Sequence, residues 1–128
     1  MATFLFDDQN FVSTSDSFRA VIPRGITSQD ELFKVLAQKL KLPDYFGHNW
    51  DALDEVLRDF HWLKPGQITI DHEDIPALPE KELTSYIDVL AYAVDDWHET
   101  DTYKLIVRFP KNAESRIEEI VHKIKSKR

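Results

Sequence analysis

The apolar positions of this chain change period several times, and each change marks an element. Residues 18–22 (Phe-Arg-Ala-Val-Ile) alternate and branch as a β-strand does, and Pro23-Arg24-Gly25 closes the run. Ser28 with Glu31 three residues on is a capping-box signature, and Leu32, Val35, Leu36 and Leu40 then share one face of a helix that must stop before Pro43. Residues 44–48 (Asp-Tyr-Phe-Gly-His) read as a tight loop in which Gly47 can take a positive φ, and Asn49 stands where it can cap a second helix running to about Phe60. The apolar stripe of that helix is Trp50, Leu53, Val56, Leu57 and Phe60; its other positions hold Asp51, Asp54, Glu55, Arg58 and Asp59.

After the turn signal Lys64-Pro65-Gly66, residues 67–70 (Gln-Ile-Thr-Ile) read as a short strand followed by a loop with Asp71, His72, Glu73 and Asp74. From about Pro79 to Trp97, Leu83, Tyr86, Ile87, Leu90, Val94 and Trp97 repeat at helical spacing. Tyr103 to Phe109 is the clearest strand, its Leu-Ile-Val centre having the continuous apolar character of a strand covered on both faces. Residues 112–127 predict a last helix, with Ile117, Ile120, Val121 and Ile124 on one face, and Phe4-Leu5-Phe6 is a candidate extra strand. Strands separated by helices imply an α/β fold with a small parallel sheet.

Composition narrows the class. With 128 residues, 42% hydrophobic and 12% aromatic, the chain has the make-up of one globular domain. At that size folding buries roughly two-thirds of the unfolded surface without disulfides or a structural metal. Cysteine is absent, which removes thiol catalysis and any disulfide framework. The start Met1-Ala2-Thr3-Phe4-Leu5-Phe6-Asp7-Asp8 lacks the basic and long apolar stretches of a secretory signal, so a soluble cytoplasmic protein with no membrane partner is expected. The net charge of −7 is uneven: residues 111–128 hold six Lys or Arg against three Glu, a local +3, which leaves −10 on residues 1–110. Such a body repels nucleic acid and attracts basic proteins.

Residues 42–53 (Leu-Pro-Asp-Tyr-Phe-Gly-His-Asn-Trp-Asp-Ala-Leu) resemble the barstar-family signature L-P-x-Y-[YF]-G-x-N-x-D-A-L. The wider likeness covers about residues 18–109, which would make the chain a single barstar-like domain with an N-terminal extension (1–17) and an added C-terminal helix (112–127). The resemblance implies a three-stranded parallel sheet packed with helices. It also implies a ribonuclease inhibitor, an immunity protein whose acidic helix and preceding aromatic loop enter the active site of a basic ribonuclease toxin as a 1:1 complex of monomers. Transferred to this chain, Tyr45 and Phe46 are the loop aromatics, Gly47 and Asn49 aim the helix, and Asp51 and Glu55 are the interfacial acids. The chain departs from the family's best-known member at three places. Asp54 replaces an interfacial tryptophan, Glu55 replaces a central aspartate, and Phe60 stands at another tryptophan. Near Tyr92, where that member has a further acid on a later helix, none aligns.

Asp51 and Glu55, four apart, share a helix face with Asp54 beside them, and like charges so placed repel. Clustering them suits a waiting cationic partner, provided they point outward. Tyr45 is expected as a contact, Phe46 as contact or packing, and His48 as a possible hydrogen-bonding group beside the acids. Two other classes compete: an adaptor of the same fold binding another basic protein, and a small hydrolase pairing His48 with Asp51 or Glu55, which needs an enclosed pocket. His61 and the 71–74 cluster match no metal-ligand spacing, and neither metal nor cofactor is expected.

Overall fold

The computed structural model describes residues 4–6, 17–98 and 102–127. Its elements in chain order are β1 (Ser17–Ile22), α1 (Gln29–Lys39), α2 (Trp50–Leu57), β2 (Gly66–His72), α3 (Glu80–Asp96), β3 (Tyr103–Arg108), a 3-10 turn (Lys111–Ala113) and α4 (Glu114–Ser126). The sheet has the order β1-β2-β3 and both pairings are parallel, with Ala20 opposite Ile70 and Ile70 opposite Val107. The fold is therefore the α/β arrangement expected, including the C-terminal helix. Most of the N-terminal extension, residues 1–3 and 7–16, lies outside the described residues.

The strand with both faces covered is β2, not β3. A central strand must bury alternate side chains in opposite directions. Ile68, Ile70 and His72 point to the helix-packed face, where His72 meets Tyr86 of α3; Thr69 and Asp71 are buried on the other. In β3 only Leu105 and Val107 are buried. Asp71 and His72, expected in a loop, instead extend β2. Asp71 and His72 fit there because each finds partners on neighbouring elements, whereas the buried Thr69 hydroxyl has no hydrogen-bond partner among the described residues. Asp71 accepts from Arg19 on β1 (Nε, 3.1 Å, and Nη2) and from Arg108 on β3 (Nη1, 2.7 Å), so one carboxylate ties all three strands.

Ser28 caps α1 by accepting from the Glu31 amide at 3.2 Å, while the Glu31 carboxylate accepts from the Thr27 amide at 2.7 Å, one residue before the position of an ideal capping box. Leu5 makes a single parallel bridge to Arg108 at the sheet edge, with Phe4 and Phe6 against Phe109. Helix α4 buries Ile117, Ile120 and Ile124 and is joined to α3 by Lys125 and Asp95 at 3.6 Å. The basic tail is thus held on the acidic body. No helix among the described residues is long and apolar enough to cross a membrane.

His72 is fully buried, stacked on Phe109 with ring centroids 4.0 Å apart. The Arg108 carbonyl, 2.9 Å from Nδ1, can only accept, so the proton sits on Nδ1 and Nε2 accepts from the Tyr86 hydroxyl at 2.6 Å. Loss of hydration outweighs the Arg108 hydrogen bond and the field of Asp71, and lowers the imidazole pKa to about 4. Burial likewise pushes the Tyr86 hydroxyl above its ordinary range. A folded-state pKa below the unfolded value of about 6.5 means that only the unfolded chain takes up this proton between those values. The resulting stabilisation is complete above pH 6.5 and falls by ~3 kcal/mol as the pH drops to 4. In urea titrations at pH 7 and pH 4.5, His72→Gln is expected to lose markedly less stability between the two than the wild type; equal losses would refute the assignment.

Candidate functional site

The acidic helix is aimed by the loop before it, and the loop is held by one ring. Phe33 of α1 is fully buried and receives Phe46 edge-on at 5.9 Å, Trp50 at 4.8 Å and His48 at 6.3 Å. The Phe46 amide donates to the Pro43 carbonyl at 3.0 Å, closing a turn that turns Phe46 inward and leaves Tyr45 66% exposed. Phe46 therefore packs. Phe33 was absent from the expected stripe of α1, although its spacing to Leu36 and Leu40 is itself helical.

The left-handed residue of the loop is His48 (φ 50), not Gly47. Gly47 leaves a space in which a Cβ would stand a tight 3.2 Å from Asn49 Nδ2 and an ordinary 3.5 Å from Ala52 Cβ. That space lets Asn49 fold back, donating through Nδ2 to the Gly47 carbonyl at 3.1 Å and accepting the Ala52 amide through Oδ1 at 2.8 Å. Asn49 is thus the N-cap of α2, as expected.

Leu53, Val56 and Leu57 face the core, and Trp50 is half-buried between Phe33 and Tyr86. The helix ends at Leu57, and Phe60 (φ 59) lies beyond it with no exposed surface, packed among Trp62, Trp97 and Tyr103. This corrects the expectation for Phe60: its ring is in the core, out of reach of anything docked on α2.

Asp51 and Glu55 are both exposed, on adjoining turns of the outer face. Asp51 sits in the first turn, where the unpaired amides of the helix favour an anion. Asp54 is half-buried and already paired, accepting from Arg58 Nη2 at 2.8 Å. Arg58 also lies over the Tyr92 ring, 5.2 Å from its centroid. The Asp54 hydrogen bond and charge raise the Arg58 pKa, with smaller contributions from Asp96 and Tyr92. Two of the three acids therefore face solvent unpaired with Arg58, and one is neutralised within the chain.

An open groove runs between α2 and α3, lined on the first by Trp50, Asp51, Asp54 and Arg58 and on the second by Asp88, Val89 and Tyr92. Asp88 and Tyr92 were not among the expected site residues, because nothing in the linear pattern says which turn of α3 lies beside α2. A shallower depression on the outer side of α2 includes Asn49, Asp51 and Glu55. His48 lines neither. Its exposed ring rests on Phe46 at 5.0 Å. His61 pairs with Asp59 at 2.7 Å, and Asp71 and His72 face opposite sides of the sheet. Among the described residues no group of three or more His, Cys, Asp or Glu is placed to hold a metal ion.

A family model described as Barstar (barnase inhibitor) matches residues 17–109, from the start of β1 to the residue after β3. Comparison with curated proteins found no significant match.

The Asn49 cap supports the helix that carries the acids. Asn49→Ala is expected to lower stability by about 1 kcal/mol, within a range of roughly 0.5–2, while Asn49→Asp retains most of it. Urea unfolding measures both, and an alanine variant as stable as the wild type would show that the cap does not hold α2.

Proposed function

This chain belongs to the barstar family, and on that premise we propose that it is a ribonuclease inhibitor, an immunity protein that blocks the active site of a cognate basic ribonuclease with the acidic face of α2 and the aromatic loop before it. The observation that carries this reading is the joint exposure of Asp51 and Glu55 on α2, behind a loop that exposes Tyr45, with Asp51 also lining a groove whose far wall supplies Asp88. A ribonuclease holds its substrate's phosphates with cationic side chains. Carboxylates standing where those phosphates lie satisfy the same cations and exclude RNA. The opposite charges of the two proteins speed their encounter, and added salt slows it.

In this mechanism Asp51 and Glu55 make the charged contacts, and Tyr45 is a ring anchor ordered at low entropic cost. Gly47 and Asn49 set the direction of α2, and His48 is an exposed polar group on the same rim. Asp54, Asp88 and Tyr92 form the second line of contact across the groove. Phe46 and Phe60 act from the core by holding the loop and the end of α2. No cofactor enters, and the complex is one inhibitor to one enzyme in the cytoplasm before the toxin is exported. An adaptor for a different basic protein would use the same surface, and RNA cleavage separates the two.

The test is inhibition of RNA cleavage by barnase and by the secreted ribonuclease encoded nearest to this gene. The wild-type chain is expected to inhibit at least one of them. Removing one partner of a buried interfacial ion pair costs about 2–5 kcal/mol, so Asp51→Ala with Glu55→Ala is expected to weaken inhibition by roughly a hundredfold or more. No inhibition of either enzyme, or equal inhibition by the double variant, would sink the proposal.

A further inference from the structure

The groove between α2 and α3 already contains a guanidinium, and it belongs to the protein itself. Arg58 is the only cation among the described residues lining it. Its guanidinium is held in two ways at once: a hydrogen-bonded ion pair with Asp54 at 2.8 Å on its own helix, and the face of Tyr92 at 5.2 Å on the opposite helix. Asp96, one turn beyond Tyr92, adds its field. A carboxylate hydrogen-bonded to a guanidinium and an aromatic face beside it suit arginine better than lysine, because the planar fork can both pair and stack.

We propose that Arg58 is an intramolecular latch, which in the free protein fills an arginine subsite made by Asp54 and Tyr92 and swings out when an arginine of the partner takes its place. This inference rests on the reading of the site as a surface for a basic protein, and it names the partner's chemistry and a control on its entry.

Three observations carry it. First, the ion pair is open to solvent: the side chains of Arg58 and Asp54 are 35% and 29% exposed, and water screens a partly exposed pair four residues apart. Secondly, the cation stands among Asp51, Asp54 and Asp88, where it weakens the attraction for a basic partner. Thirdly, it covers Tyr92, which is still 48% exposed and is the largest ring of that wall. A partner must therefore offer a group that pairs and stacks at least as well as Arg58. Arginine meets that condition, whereas a lysine, which can pair but cannot stack as a plane, leaves Arg58 in place.

Labelled hexa-arginine and hexalysine are suitable probes, because they require no ribonuclease and so separate this inference from the inhibitor reading. Binding is followed by fluorescence anisotropy at fixed ionic strength, with the Tyr92 ring signals in NMR reporting location. Arg58→Ala is expected to tighten hexa-arginine binding by about tenfold and hexalysine binding by much less. Lys104→Ala, which removes an equal charge on β3, serves as the control for net charge. Asp54→Asn is expected to cancel the gain in the Arg58→Ala background, and to cost less in the wild type, where Arg58 competes for the same carboxylate. Arg58→Gln, of similar length, repeats the measurement if the alanine variant is poorly folded. The latch is overturned if removing Arg58 helps no more than removing Lys104, if both peptides gain equally, or if Asp54→Asn costs the same in both backgrounds.

Discussion

The contact on which the working surface depends is the packing of Phe46, His48 and Trp50 around the ring of Phe33. A buried aromatic ring contributes a large contact area and a definite geometry. Here two rings from one short loop and Trp50 from the first turn of α2 meet it, and the loop is fixed at both ends by the Pro43 turn and the Asn49 cap. Once Trp50 is seated between Phe33 and Tyr86, the rotation of α2 about its axis is determined. Leu53, Val56 and Leu57 must face inward, and Asp51 and Glu55 outward. The acids are therefore positioned by hydrophobic packing on the other side of the helix. Nothing in their own interactions would hold them together.

The surface is a compromise between repulsion and use. Asp51 is relieved by the amides of the first turn of α2, and Asp54 by Arg58, while Glu55 has neither. A protein selected for stability alone would gain from a lysine at one of these positions. Asp88 faces Asp51 and Asp54 across the groove, and Arg58, which lines the same groove, moderates the repulsion in the free protein.

Behind this surface the sheet solves a second electrostatic problem. Asp71 is buried in the central strand, where an unpaired carboxylate would be costly. Two guanidiniums, from β1 and β3, answer it, and the same register places His72 on the opposite face as a neutral ring between a carbonyl and a tyrosine hydroxyl. Polar residues thus specify how the three strands line up, while the apolar residues around them supply the bulk of the burial.

Most elements could be read from periodicity, because a helix face and a strand face impose their own repeat on the chain. The capping residues Ser28 and Asn49 could be read too, since the bonds they make span three residues. The candidate acids Asp51 and Glu55 came from the same local regularity joined to the family motif. Other features had no local signature. The continuous apolar run of β3 suggested a strand covered on both faces, yet β2 is that strand, and its Asp71 and His72 are satisfied by Arg19, Arg108 and Tyr86 from distant parts of the chain. Phe60 read as one more position of α2, but the helix ends at Leu57 and Phe60, left-handed beyond it, has its ring in the core. Asp88 and Tyr92 entered the site only because α3 packs beside α2 at that turn, and Arg58 acquired its role from the same approach. A repeat along the chain records which side of a helix avoids water; which charges then share the gap between two helices is settled only when the helices meet, by side chains that have no periodic relation to one another.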